Sequence, residues 1–446
     1  MRPHAPLAVS ALSLLLACAT PVRWQAPDAP TPREAELLLQ VPSVETLVRV
    51  LPPTGIPEIP VRRRLRPCCA FGADLGVRLG ALPVPILRLQ NVRGLPDLGP
   101  HHYDAGILPI AGGNGMELLA LENNGLVYTC HAGFVDVAHV RDYADWTIYL
   151  AAWLLPRLRT GGEVELPAEG GRRRVVAEPV PEILLREVDP QAAALAIAQH
   201  LGFALSVWHE IATWYGWSWS PAFPEVASAF SPEDLYSNLV GTRIAVAVAA
   251  ERSARTAELY ERSVDNWLRA VLERLGATSR ETALEAMWAV DGSWWRSEAL
   301  LPDGDLVIRR NLDVGPELEP WQVPVGRRSP ELRARLAAEC PDGEEPARLR
   351  RIRTIRGVPL GRLARLEIEP SPELRSRPAL AGETGVLTDR DLPRLVAVVR
   401  EEVRARFGPF ADRPTDAFPA PGPGDPAHRA LDSSGRHGSA TAIFTN

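Results

Sequence analysis

Residues 191–215 read QAAALAIAQHLGFALSVWHEIATWY. Apolar residues cover almost every face of a 3.6-residue period, which predicts a helix buried on all sides rather than an amphipathic surface helix. Its length invites comparison with a membrane span, but Gln199, His200, His209 and Glu210 would make that placement costly. A helix of this kind needs other elements to cover it, and two further helical stretches qualify. One runs from about Val135 to Leu155. The other opens at Ser231-Pro232-Glu233-Asp234, with Ser231 as cap, proline in the first turn and acids facing the helix dipole. It is expected to run past Ala250 towards Arg269, with a break. The fold class expected is α+β and predominantly helical: a central buried helix cluster, peripheral β-hairpins and a smaller C-terminal β-containing region.

Outward from this cluster, Met116–Leu121 and Leu126–Thr129 flank Asn124-Gly125, which suits a tight hairpin turn. Glu163–Leu166 and Arg172–Ala177 flank a glycine-rich turn and predict a second hairpin. A third is expected around Pro302-Asp303-Gly304. Prolines and glycines break the stretch from Pro52 to Pro100, so it reads as extended or irregular. A short helix is expected after Ser43, strands at Ile352–Ile355 and Leu363–Ile368, and a late helix capped by Thr388 that reaches Phe407. The expected division is 1–18 signal peptide, 19–32 proline-rich tether, 33–290 helical core, 291–410 C-terminal α/β subdomain and 411–446 disordered tail.

The amino terminus carries Arg2, an apolar run from Pro6 to Leu16, and Leu15-Leu16-Ala17-Cys18. A cysteine after Leu-x-Ala is the lipobox pattern of a lipoprotein signal. Cleavage and lipidation at Cys18 would hold the chain on a membrane through acyl chains. Ala19 replaces the aspartate that retains some lipoproteins at the inner membrane, which points to the outer membrane facing the periplasm. The net charge of −6 argues against a nucleic-acid partner. All 49 basic residues are arginine, so Schiff-base chemistry and a P-loop, which need a lysine amine, are excluded.

The first helix carries Asp136, His139, Asp142 and Asp145 at three-residue intervals, so that neighbours lie on adjoining parts of one face. The central helix repeats the anomaly at Trp208-His209-Glu210, and the third places Asp234, Asn238 and Thr242 four apart. Burying such groups costs several kcal/mol, as a rough scale, unless they are paired or bind a cation. One reading is a divalent metal such as zinc, with His139, Asp142, His209 and Asp234 as ligands and Glu210 as the base that activates water. Against it, His209-Glu210-x-x-Thr213 lacks the second histidine of the H-E-x-x-H zinc helix. The other reading is a buried polar network that locks the helices together.

Cys130, between a predicted strand and a predicted helix, suits a thiol nucleophile, the placement seen in papain-like hydrolases. It also suits a disulfide, and Cys68 or Cys69 is the nearest partner in sequence. Trp208, Trp214, Trp217 and Trp219 read as core, or as an aromatic wall for a sugar or acyl chain.

Four segments carry a family resemblance: Arg66-Pro67-Cys68-Cys69-Ala70-Phe71-Gly72; Tyr128-Thr129-Cys130 with Gly133 to Asp142; Trp208 to Trp214; and Ser228 to Asn238. Together they resemble the uncharacterised bacterial lipoprotein family called domain of unknown function 4056, over roughly residues 60–400. The resemblance implies an envelope location and supplies no activity. The expected function is therefore an envelope hydrolase acting on a lipid, glycan or peptide. The alternatives are a non-catalytic scaffold or binding lipoprotein and a thiol hydrolase using Cys130.

Overall fold

A computed structural model of the chain describes residues 29–40, 56, 59–63, 65, 66, 69–79, 82–105, 122–218, 225–250 and 256–414. Its helices include α1 (Pro32–Gln40), α2 (Val137–Leu154), α3 (Pro190–Trp214), α4 (Asp234–Ala250) and α5 (Ala257–Arg274), with α6 (Pro330–Glu339) and α7 (Leu392–Phe407) towards the C-terminus. The chain is α+β, with helix predominant.

Helix α3 is the predicted buried helix. Asp189 caps it by accepting from the amides of Gln191 and Ala192, and Pro190 occupies its first turn. By length and composition α3 could cross a membrane, yet 94% of its most apolar window is buried inside the fold. Helices α2 and α4 cover it, α7 packs on it as well, and α2 and α4 pack on each other. Close approach depends on two glycines. A Cβ on Gly241 of α4 would lie 2.2 Å from the Val140 carbonyl oxygen of α2, and one on Gly202 of α3 would lie 2.6 Å from Thr147 Oγ1. Larger residues there would force the three helices apart.

Strands are β1 (Leu75–Leu79), β2 (Leu82–Leu89), β3 (Val92–Arg93), β4 (Leu126–Thr129), β5 (Gly133–Asp136), β6 (Gly162–Leu166), β7 (Gly171–Ala177), β8 (Leu300–Leu301), β9 (Ala364–Pro370) and β10 (Leu387–Thr388), with a few short pairs besides. The predicted hairpin β6–β7 is present, and β9 extends it in antiparallel register from Ala364↔Ala177 to Pro370↔Gly171. Residues expected to form a subdomain after 290 thus complete a sheet begun at 162, and buried side chains from both stretches share one core.

The segment read as extended or irregular before Pro100 takes the extended alternative and contains β1, β2 and β3. Several expectations are corrected. Residues 133–136 form a strand paired with β4, because the Asp136 carboxylate takes the amides of Ala138 and His139 and starts α2 only at Val137. Helix α4 starts at Asp234, three residues beyond Ser231; the Ser231 hydroxyl donates to the Ser228 carbonyl, and its amide donates to Asp234 Oδ2. Asp391 occupies the cap position of α7, and the amide and hydroxyl of Thr388 donate to its carboxylate. Around Pro302, β8 pairs in parallel with β1, and only a single bridge, Trp295↔Val307, joins the expected hairpin arms. Residues 1–28, the helix after Ser43, Met116–Leu121 and the tail from 415 lie outside the described residues, as do Cys18 and Cys68.

Cys130 bonds to Cys340, 210 residues away, with an S–S distance of 2.06 Å, and Cys69 is free and buried. The pairing of Cys130 with Cys68 or Cys69 is thereby corrected, and so is the thiol nucleophile, since Cys130 has no thiol to ionise. The bond joins the end of β4 to the end of α6. Opening it frees a long loop in the unfolded chain, so a Cys340→Ser variant should lose about 2–4 kcal/mol of unfolding free energy. Chemical unfolding with and without reductant measures this; a loss below about 1 kcal/mol would show that the bond adds little.

Candidate metal centre

Three helix segments and one turn converge on the polar cluster. Helix α2 contributes Asp136 at its cap and His139 one turn in. Helix α3 contributes His209 and Glu210, α4 contributes Asp234 at its start, and the β6–β7 turn contributes Glu169. All six are buried.

Both histidines turn Nδ1 towards a carboxylate, His209 the more closely. His209 Nδ1 is hydrogen-bonded to Glu169 Oε1, while Glu169 Oε2 pairs with Arg173 and the Glu169 carbonyl accepts the Trp208 indole N–H at 2.8 Å. His139 Nδ1 lies 3.4 Å from Asp234 Oδ1. The rings stand edge to face, 6.1 Å between centroids. A carboxylate on Nδ1 is the arrangement that fixes a metal-binding histidine with Nε2 towards the ion. Glu210 Oε2 accepts the Phe230 amide at 2.6 Å, and Phe230 adopts a left-handed φ of 55°. Glu210 Oε1 is buried with no hydrogen-bond partner among the described residues.

One ligand atom from each of His139, His209 and Glu210 falls within 4.8 Å of the others, and the same holds for Asp136, His139 and Asp234. Two imidazoles and one carboxylate are the protein ligand set of the thermolysin type of zinc site, which leaves a position open for water. Glu210, expected as the base, therefore stands where a ligand belongs.

Electrostatics support a cation here. Burial raises the carboxyls of Asp136, Glu233 and Asp234, and for the latter two neighbouring carboxylates push further the same way. Burial works against a charged His209, but Glu169, Glu210 and Glu225 outweigh it and lift the ring to about 9. Burial also opposes the charged form of Glu169, yet Arg173 and His209 hold it below the usual carboxylate range.

A cation entering near neutral pH must therefore displace protons. Metal affinity should rise with pH up to about 9, by about tenfold per unit for each proton displaced. Calorimetry in buffers of different ionisation enthalpy should show at least about one proton released per ion at pH 7.5; no release would contradict this. The metal-free fold should behave oppositely. A folded pKa above the ordinary value means that the stability from charged His209 is complete below about 6.5 and lost as pH rises through 9.

Asp142 is not part of the centre, which corrects its assignment as a ligand. Its carboxylate accepts from Arg62 and, at 2.7 Å, from Arg66 Nη1. Asp145 accepts from Arg66 at 2.9 Å, from His101 at 3.0 Å and from the Tyr260 hydroxyl at 2.7 Å. Glu122 takes Arg66 Nε and Nη2 at 2.6 and 2.8 Å. The polar stripe of α2 thus divides into a histidine end facing the centre and an aspartate end locked in an arginine network.

Glu169 and Arg173 were missed in the sequence. Their only signal is an acid in the glycine-rich turn Ala168-Glu169-Gly170-Gly171, followed by an arginine run. Beside that turn lies a cavity of about 520 Å³, lined in part by Gly170, Gly171, Ser371 and Trp217. The Trp217 ring meets His209 edge-on at 5.9 Å, so this cavity lies next to the centre.

The family model described as protein of unknown function (DUF4056) matches residues 56–324, and the chain belongs to that family. The match contains every residue of the centre and ends before β9. No curated protein and no solved structure matches the chain.

Proposed function

We propose that this member of the DUF4056 family is a metal-dependent hydrolase of the bacterial cell envelope, acting on a lipid, glycan or peptide. One observation carries the reading. His139 and His209 each present Nδ1 to a buried carboxylate, while Glu210, partnered on one oxygen only among the described residues, completes a compact ligand group with them. A bound cation would supply the partner that Glu210 Oε1 lacks among the described residues, where an unpaired buried carboxylate oxygen is costly.

A bound dication would act as a Lewis acid on a carbonyl or phosphoryl oxygen and lower the pKa of water. The residues supply the rest. Glu169 and Asp234 orient the rings, and the Phe230 amide fixes Glu210. Substrate would approach from the side of Trp217, whose ring forms part of a cavity wall and meets His209. Two features support the envelope location: the lipobox ending at Cys18, and a disulfide suited to an oxidising compartment.

The test is hydrolysis of purified peptidoglycan, phospholipid vesicles and simple esters by the full chain, before and after chelation, with metabolic palmitate labelling alongside. Hydrolysis lost on chelation, restored by zinc and absent in Glu210→Gln would support the enzyme, and label lost in Cys18→Ser would support the anchor. Activity untouched by chelation, or equal in Glu210→Gln, would overturn the metal reading. A chain that binds the ion and cleaves nothing would instead fit a scaffold.

A further inference from the structure

We infer that the centre holds a second cation at the Asp136–His139–Asp234 group, served also by the neighbouring Glu233, next to the His139–His209–Glu210 position. The inference rests on the metal-centre reading and adds to it a second ion with ligands of its own.

The first ground is geometric. Asp136, His139 and Asp234 bring ligand atoms within 4.8 Å of one another, as the first group does, and His139 is common to both. Two positions sharing a residue must be neighbours, and since one imidazole nitrogen binds one ion, carboxylate oxygens would carry the second position.

The second is Glu233. It is 3% exposed, and neither carboxylate oxygen has a hydrogen-bond partner among the described residues. Two carboxyls sharing a proton would lie within hydrogen-bond distance, and Glu233 makes no such bond. Its electrostatic neighbours are Asp136 and Glu210, which places it beside the centre. A cation would supply the partner that this buried carboxylate lacks among the described residues.

The third is the face of α4. Asn238 follows Asp234 by one turn, is fully buried, and has no partner for either carboxamide atom among the described residues. Gly241, on the same stripe, meets the Val140 carbonyl of α2. The stripe Asp234–Asn238–Gly241 therefore faces the part of α2 that carries Asp136 and His139, and Asn238 is placed to serve the ion directly or through water.

The fourth is charge. Asp136, Glu210, Glu233 and Asp234 are four buried carboxyl groups in one cluster. Arg310 lies close enough to raise no more than a long-range attraction, because its guanidinium donates to the carbonyls of Ala229, Gly304 and Val307. A second cation in the cluster would meet an oxygen-rich set of donors, which suits manganese or magnesium.

The experiment is metal titration of the stripped full chain with Mn2+, read by elemental analysis and electron paramagnetic resonance. Two Mn2+ per chain with a spin-coupled signal are expected in the parent. In Glu233→Gln, one Mn2+ with an uncoupled signal is expected. A single uncoupled ion in the parent would overturn the second position and leave the first standing. No bound ion would overturn both. Two coupled ions in Glu233→Gln would overturn the ligand assignment. The parent alone decides the count, so the inference stays falsifiable if the variant does not fold.

Discussion

Arg66→Ala should destabilise the fold by about 3–5 kcal/mol, the loss expected when one partner of a buried ion pair is removed. Arg66 is 2% exposed, and its guanidinium donates to Glu122, Asp142, Asp145 and the His102 carbonyl. Removing it leaves three buried carboxylates beside Arg62 and His101. Burial alone works against the charged forms of Glu122 and Asp145; the neighbouring cations, Arg66 among them, hold both below the usual carboxylate range. Against a typical total of about 5–15 kcal/mol, such a loss is a large fraction of stability. Urea unfolding of parent and variant measures it. A difference below about 1 kcal/mol would mean that the network is not what ties residues 62–66 to α2.

His209→Ala should abolish cation binding at the histidine position, with an affinity loss beyond the roughly 10–100-fold that removal of an outer partner costs. Glu169→Gln should fall within that outer range, because Glu169 positions the ring without touching the ion. It should also release fewer protons on metal binding, since Glu169 is the main group that holds His209 at about 9. A glutamate that only braced the β6–β7 turn would leave the proton count unchanged. Calorimetry at two pH values separates the cases. Equal affinity in the parent and in His209→Ala would exclude the ring as a ligand.

The buried helix cluster was legible because α3 is apolar around its whole circumference and can exist only inside a core. The partition of the α2 stripe was not. Three residues advance a helix by about 300°, so each step drifts by about 60° and Asp136 and Asp145 end on opposite sides. Spacing alone could not say which residues face the histidines and which face an arginine. The arginines themselves, Arg62 and Arg66, arrive from a segment some eighty positions away, with nothing local to announce the contact. The same distance problem hid the Cys130–Cys340 bond and the pairing of β9 with β7. His139, His209, Glu210 and Asp234 could be nominated because each is an ionisable group on a helix that should exclude water. Their roles could not be assigned, because a carboxylate acts as ligand or base according to its angle to the rings, which Phe230 and Glu169 set from loops.

Anomalous diffraction at the zinc edge, from crystals of the zinc-loaded full chain, tests the metal centre most directly. The account predicts a peak about 2.0–2.2 Å from one nitrogen each of His139 and His209 and from Glu210. A well-ordered site without a peak, with a water or protein donor on Glu210 Oε1, would contradict it and leave the cluster as a structural polar network.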